Sequence, residues 1–483
     1  MADDLLAQRR AKLDRLREQG IDPFPHAFEG VEPIADVRAA HEGLEAGAET
    51  ESRHRLAGRL HARRGQGGMA FLDLDDRSGR IQLQAKRDVL GEERMDLLLE
   101  LDLGDIIGID GVVFMSKRGE LTIRVEDFTV LAKSLRPPPD KHHGLSDVET
   151  RYRRRELDLM ANEEARELFI ARAKIVTAVR RYLDDNGFVE VETPVLQPLY
   201  GGALATPFTT HFNALDQTMY LRIATELYLK RCVVGGLERV YELGKDFRNE
   251  GLSPKHNPEF TMVEWYEAYS DYHDMMRRLE EVVQAAARAV DYGGEVDLTP
   301  PWRRVTLRDA ILEEAGIDVL AHRGREALVA EIKSKRLEIA DLDERTWPQL
   351  VDDLLSKFVE PKLQAPTFVT DYPVELSPFA KAHRTEPGLV ERFEAFVYGM
   401  EISNAFTELN DPDDQRARFE AQVRYSDSGD EETQPYDEVF VQALEQGMPP
   451  TGGLGLGIDR LAMVLTGKRS IREVVLFPAM RET

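Results

Sequence analysis

Between Arg55 and Leu135 the chain runs as a series of short strand-like segments, LAGRLHARR, MAFLDLDD, IQLQAK, DIIGIDGVVF and LTIRVEDFTVLA, broken by Gly, Asp and Ser and followed at once by LRPPPD. Five or six strands of this length and rhythm predict a small β-barrel. Three consecutive prolines behind it predict a stiff linker. The chain therefore divides into a lead-in over 1–50, a barrel over 51–135, a linker over 136–150 and a larger remainder over 151–483. In the lead-in, Leu5, Leu6, Leu13 and Leu16 stand at helical spacing beside Arg9, Arg10, Lys12, Arg15 and Arg17, with Gly20 as a stop, which predicts a basic amphipathic helix.

In the remainder, RYRRRELDLMANEEARELFIARAKIVTAVRRYLDDNG reads as a long helical pattern ending at Gly187. Residues 303–360 predict a helical insertion, and TFVTDYPVEL, FEAFVYGMEISNAF and GGLGLGIDR predict strands, which makes a large α+β domain. The 42% hydrophobic and 31% charged content is that of an ordinary soluble protein. No apolar run approaches the ~18 residues of a membrane span, and the charged N-terminus has no signal-peptide stretch, so a cytoplasmic protein is expected. Cys232 is the only cysteine, which excludes internal disulfides and cysteine-rich zinc sites, and its setting in LYLKRCVVGG is that of a packed thiol. A net charge of −25 argues against nonspecific coating of nucleic acid. Residues 51–135, with 14 Lys+Arg against 15 Asp+Glu, are nearly neutral, so the barrel is the segment suited to meet a polyanion.

Residues 247–266 read FRNEGLSPKHNPEFTMVEWY. Period-2 geometry puts Phe260, Met262, Glu264 and Tyr266 on one strand face, so a carboxylate sits among aromatics and a methionine. Arg248 and Glu250 fall on what reads as a second strand, Arg239 to Glu250, with Gly251 to Pro258 as the connecting loop. For any single charged residue here, facing water is the ordinary outcome. FEAFVYGMEISNAFTELNDP repeats the pattern, however: Asn404, Phe406 and Glu408 share a face. Glu394 and Glu401, an odd number of residues apart, reach one site only if the chain turns or bulges near Gly399, and as hard oxygen ligands they suit Mg²⁺ beside phosphates. In GGLGLGIDR a glycine-rich strand runs into a helix and Arg460 projects over it; such glycines admit a flat ligand or, more commonly, close packing.

FVEVETPVLQP at 188–198, FRNEG with HNPEFTMVEWY, and GGLGLGIDR resemble motifs 1, 2 and 3 of the class II aminoacyl-tRNA synthetases, with Pro194, Arg248 and Arg460 as the motif residues. YGGALATPFTTHFNALD, LYLKRCVVGGLERVYELG, TDYPVELSPFAK and EISNAFTELNDP resemble the bacterial lysine-specific branch of that class, and DRSGRIQL and KHHGLSDVETRYRRRELDL carry the resemblance beyond the catalytic domain. Thr225, where a proline is expected, and Trp265 depart from the pattern.

The resemblance implies an OB-fold anticodon-binding barrel followed by a catalytic domain built on an antiparallel sheet flanked by helices. It implies activation of L-lysine by ATP to lysyl-adenylate and pyrophosphate, then transfer of lysyl to the 3′-terminal adenosine of tRNA(Lys). Arg248 would bridge the α-phosphate and the substrate carboxylate, with Asn404 helping. Glu250, His256, Asn257 and Phe260 would hold ATP, Phe260 stacking on adenine; Glu394 and Glu401 would bind Mg²⁺ at the nucleotide, and Arg460 would grip its far end. Lysine's side chain, with an ordinary pKa of ~10.4, arrives charged, and burying it unpaired is prohibitive. Glu264 and Glu408 would supply its partners with the Tyr266 hydroxyl alongside, Phe406 would flank the methylenes, and Glu226 with the Gly202 carbonyl would take the α-amino group. In the barrel, Arg64, Phe71, Gln82 and Glu120 would contact the anticodon, the plain alternative for Phe71 being core packing. Motif 1 forms a dimer interface in this class, so a homodimer through the Pro194 region is implied. An aspartate- or asparagine-specific enzyme would need cations where Glu264 and Glu408 stand. A lysine-ligating paralogue that modifies a protein would lack the barrel, and an RNA-binding regulatory paralogue would have lost Arg248, Glu394, Glu401 or Arg460.

Overall fold

The computed structural model describes residues 2–65, 67–139, 145–427 and 434–481. The chain divides into two compact units, Met1–Ser146 and Asp147–Thr483. The expected linker falls partly on 140–144, outside the described residues.

The first unit holds five strands, β1 (Glu49–Arg64), β2 (Met69–Asp75), β3 (Arg80–Lys86), β4 (Ile106–Met115) and β5 (Leu121–Ala132), closed into a barrel in the order β1-β2-β3-β5-β4. Closure leaves the sheet without open edges. The alternation that predicts it is visible along β2, where Ala70, Leu72 and Leu74 are buried and Phe71 and Asp73 face outward. The expected N-terminal helix forms over Ala2–Glu18 and buries Leu13 and Leu16. Its basic side chains serve the unit itself: Lys12 Nζ lies 2.7 Å from Asp102 Oδ1, and Arg9 Nη1 donates to the Ser134 carbonyl at 3.0 Å. Buried Lys133 completes that ion cluster, 2.6 Å from Asp102 and 2.9 Å from Asp105.

The second unit is built on eight strands: β6 (Val189–Glu190), β10 (Arg239–Phe247), β11 (Glu259–Ala268), β12 (Arg303–Thr306), β13 (Thr367–Pro373), β14 (Leu389–Val397), β15 (Met400–Thr407) and β16 (Thr451–Gly457). Their order is β12-β13-β14-β15-β16-β11-β10-β6, antiparallel except where β6 meets β10 and β12 meets β13. A small sheet of β7 (Leu196–Gln197), β9 (Gln217–Leu221) and β8 (Thr209–Phe212) stands apart from it. The helices Glu163–Asp185 and Tyr272–Ala289 share one core with the sheet, in which Ile175, Val179, Met275 and Leu279 pack with Tyr241 and Trp265. Trp265 therefore belongs to the face opposite Glu264, as period 2 requires.

Three expectations need correction. The long helix is broken at Arg154 and Asn162 into Val148–Arg153, Arg155–Ala161 and Glu163–Asp185. The breaks let buried Asp158 collect Arg151 Nε at 2.7 Å, Arg155 Nη1 at 2.5 Å and Asn162 Nδ2 at 2.6 Å. Hydrophobic spacing carries no trace of such a polar hub. The insertion at 303–360 opens with the edge strand β12, too short at four residues for periodicity to separate from helix, before the helices Leu307–Ala315, Arg325–Ser334 and Trp347–Leu354. The strand through Arg239 stops at Phe247, so Arg248 and Glu250 lie beyond it; the Arg248 N–H still donates to the Pro258 carbonyl at 2.9 Å and adds one rung. Among the described residues no helix is long and apolar enough to cross a membrane.

Candidate active site

Strand register assembles the site. Glu264 on β11 is level with Gly455 on β16, Asn404 on β15 and Glu394 on β14; in the next row Tyr266 is level with Gly453, Phe406 and Arg392. A Cβ on Gly453 would land on Glu408 Oε1 and the Tyr266 ring, so this glycine makes room for the side chains that floor the site. The site is a cavity of about 320 Å³, lined by every expected residue of this unit except Pro194: Gly202, Glu226, Arg248, Glu250, His256, Asn257, Phe260, Glu264, Tyr266, Glu394, Glu401, Asn404, Phe406, Glu408 and Arg460.

The inner end is acidic and buried. Glu226, the first residue of the helix Glu226–Val234, is buried with Glu264, Tyr266 and Glu408. One turn along that helix the fully buried Lys230 places Nζ 2.6 Å from Glu226 Oε1 and 2.5 Å from Glu408 Oε2, against the Phe379 ring at 5.1 Å. Glu408 Oε1 has no hydrogen-bond partner. Glu264 receives only long contacts, from the Thr225 N–H and the Tyr266 hydroxyl, each at 3.4 Å. The proline expected at 225 would have no N–H to offer. Burial, reinforced by Asp246 and Glu226, pushes the Glu264 carboxyl up to about 8. Burial likewise raises Glu408, against the pull of Lys230, and raises Glu226. Lys230 itself stays above the ordinary ammonium value, because Glu226 and Glu408 outweigh its desolvation.

The outer end carries the arginines. Arg248 packs its guanidinium 5.1 Å from the centre of the Phe260 ring, and its Nε is buried without an acceptor. Arg392 Nη2 meets Glu394 Oε1 at 2.6 Å and its Nε donates to Asn404 Oδ1 at 3.1 Å, while the Tyr372 hydroxyl donates to Glu394 Oε2 at 2.9 Å. Arg460 Nη1 donates to Glu401 Oε2 at 2.8 Å and Nη2 lies 3.2 Å from His256 Nε2. A guanidinium only donates, so Nε2 is the acceptor and Nδ1 carries the proton toward Ser253 Oγ at 2.8 Å. Burial and the Arg460 charge lower the His256 pKa and keep the ring neutral. Tyr398 and Gly399, both at positive φ, turn the chain, and a register shift between Ala395 and Phe396 brings Glu394 and Glu401 to one side, as their odd spacing required. Burial, with Glu401 and Asp352 adding to it against Arg392, pushes Glu394 up to about 7.

Among the described residues no group of three His, Cys, Asp or Glu is arranged to hold a metal. Mg²⁺ commonly takes one or two carboxylates together with phosphate oxygens, and Glu394 and Glu401, the second raising the cost of ionising the first, offer that donor set. Asn257 is already engaged: Oδ1 accepts from the Ala479 N–H at 3.2 Å and Nδ2 donates to the Glu259 carbonyl, which leaves its backbone for any ligand. Gly202, at φ +89°, donates its N–H to Gln434 Oε1 at 3.1 Å, and a Cβ there would press on Glu226. Sequence reasoning missed Lys230 and Arg392. The i,i+4 pair in ELYLK and the i,i+2 pair in RFE were the available signals, but neither pair reveals the strand that completes it.

In the barrel, Phe71 lies on the outer face, outside the barrel core, so its core-packing alternative is set aside. It is level with Arg64 on β1 and Gln84 on β3. Arg64 pairs with Asp73 at 2.8 Å, Gln82 accepts from Thr122 Oγ1 at 3.1 Å, and Glu120 lies 3.5 Å from Arg38.

Comparison with known proteins gives two family matches: tRNA synthetases class II (D, K and N) over residues 147–481 and the OB-fold nucleic acid binding domain over residues 54–131. Among similar curated proteins, the lysine–tRNA ligase of Moorella thermoacetica is 51% identical over 490 residues, covering 99% of this chain and 98% of its own. That of Halalkalibacterium halodurans is 48% identical, covering 99% and 97%, and that of Clostridium perfringens strain SM101 is 51% identical, covering 98% and 95%.

Proposed function

We infer, for a chain that belongs to the class II tRNA synthetases of the aspartate, lysine and asparagine group and is a lysine–tRNA ligase, how one cavity divides the work of activating its amino acid. The observation that carries the reading is the gathering of three buried carboxylates, Glu226, Glu264 and Glu408, in one cavity that Arg248 and Arg460 also line.

Lysine enters with its side chain toward the acidic end. Its ε-ammonium pairs with Glu264 and the free Oε1 of Glu408, beside the Tyr266 hydroxyl, and its methylenes lie along Phe406. Glu226 and the Gly202 carbonyl take the α-ammonium. The α-carboxylate then meets Arg248, whose unpartnered Nε is a ready donor. That carboxylate attacks the α-phosphorus of ATP and pyrophosphate leaves; Arg248, with Asn404 nearby, stabilises the charge that gathers on the phosphoryl oxygens. Phe260 stacks on adenine, Glu250, His256 and the Asn257 backbone hold the nucleotide, and Arg460 holds its far end. Mg²⁺, held by Glu394 and Glu401, would neutralise phosphate charge. Catalysis by these groups is alignment and electrostatics rather than covalent chemistry. The lysyl group then passes to the terminal adenosine of tRNA(Lys), whose anticodon meets Arg64, Phe71, Gln82 and Glu120 on the outer face of the barrel.

An aspartate- or asparagine-specific pocket would present a cation to the substrate side chain. Lys230 is present but fully buried and already paired. The homodimer is supported by the exposed Val189, Val195 and Leu196 around Pro194, and a cytoplasmic location by the activity. Amino-acid-dependent exchange of pyrophosphate into ATP, assayed across all twenty amino acids, tests the reading: lysine alone is expected to support exchange, and equal exchange with aspartate would overturn it.

A further inference from the structure

Lys230 takes no part in the reaction described so far, yet its burial is complete and its ammonium bridges two carboxylates that come from different elements. Glu226 opens its own helix, and Glu408 follows β15, anchored by its N–H to the Thr451 carbonyl at 2.8 Å. A buried ion pair is a poor way to fasten a helix to a strand, because well-packed apolar side chains do so at equal or better stability. The arrangement gains a purpose when charges are compared. With all three carboxylates ionised, the form that an incoming ammonium favours, Glu226, Glu264 and Glu408 against Lys230 carry two net negative charges, and a diamino acid brings two ammonium groups. The bridge also joins the carboxylate at the α-amino end to one at the side-chain end, so a single rigid link sets their separation.

We propose that Lys230 is a specificity-determining positioning residue, which neutralises one carboxylate equivalent and sets the separation of Glu226 and Glu408, so that the cavity accepts a diamino acid of lysine's length. Lys230 does not touch the substrate. It pairs with Oε2 of Glu408 and leaves Oε1, which lies over Gly453, without a partner. The inference rests on the lysine-activating reading above.

The test is pyrophosphate exchange with lysine and ornithine, together with the KM for ATP and thermal unfolding, in the unaltered protein and in Lys230→Met, Lys230→Arg, Glu408→Gln and the Lys230→Met/Glu408→Gln double variant. Lys230→Met is expected to raise the KM for lysine by ~30-fold or more, the usual consequence of stranding a buried charge, and to narrow the preference for lysine over ornithine. The KM for ATP is expected to stay unchanged. In the Glu408→Gln background the same substitution is expected to add less than ~3-fold, since coupled neighbours do not add. Lys230→Arg keeps charge but alters geometry, and is expected to lose discrimination against ornithine even should the methionine variant fail to fold. Unchanged KM and preference in Lys230→Arg, an equal rise from Lys230→Met in both backgrounds, or a fall in stability alone would overturn the proposal. Absence of lysine-dependent exchange in the unaltered protein would instead overturn the activity reading on which it stands.

Discussion

The two ends of the cavity use the same residue type in opposite electrostatic states. At the inner end Glu226 and Glu408 share one ammonium, that of Lys230, while Glu264 receives only the Thr225 N–H and the Tyr266 hydroxyl. At the outer end Glu394 and Glu401 each already hold an arginine, Arg392 at 2.6 Å and Arg460 at 2.8 Å. The inner end thus has in Glu264 a carboxyl with no cation of its own, which an incoming ammonium can pair with by displacing its proton. The outer end is balanced, and in the proposed reaction its arginines would turn from carboxylate to phosphate and its carboxylates from arginine to Mg²⁺. Glutamate beside an aromatic ring is ambiguous by itself; the number of cations built in around it decides what it awaits.

The largest effect that would break this contrast is expected from Arg248→Ala. Loss of a preorganised donor to the reacting phosphate is expected to cut lysine-dependent exchange by ~100–1000-fold with the unfolding transition unchanged. Normal exchange would remove Arg248 from the reaction. Glu394→Gln is expected to act at the outer end only: the Mg²⁺ concentration for half-maximal exchange rises at least ~10-fold while the KM for lysine holds. A parallel rise in the lysine KM would merge the two ends into one. The pH dependence is gentler. Glu264, raised to about 8 by burial, is largely protonated in the free cavity at neutral pH, and an incoming ammonium favours its ionised form. A proton therefore leaves as lysine binds, so lysine affinity is expected to rise up to ~10-fold per pH unit toward 8 and then flatten. Calorimetric titration in buffers of different ionisation heat measures that proton, and uptake in place of release would reverse the sign. Phe71→Ala sharpens the comparison from outside it: tRNA charging weakens by the ~1–3 kcal/mol of a lost stack while exchange stays at the level of the unaltered protein.

Much of this was legible along the chain, for reasons specific to each element. Period 2 placed Phe260, Met262, Glu264 and Tyr266 on one face, and the odd spacing of Glu394 and Glu401 demanded the turn now seen at Tyr398 and Gly399. Other features had no local signature. Four residues are too few to mark β12 as a strand, and the helix breaks at Arg154 and Asn162 answer to side chains gathered around Asp158. Lys230 is one turn from Glu226 in sequence, but its second partner, Glu408, lies 178 residues further on, and only the folded sheet brings the two together.

Whether the inner carboxylates recognise an ammonium rather than an apolar chain is decided at Glu264, the carboxylate least committed to partners within the protein. A direct test is pyrophosphate exchange with lysine and with norleucine, which keeps lysine's carbon chain and lacks its ammonium, in the unaltered protein and in Glu264→Gln. The variant is expected to lose ~30-fold or more in kcat/KM for lysine and little for norleucine, so that the preference collapses while the KM for ATP holds. A Glu264→Gln variant that prefers lysine over norleucine as strongly as the unaltered protein would contradict it.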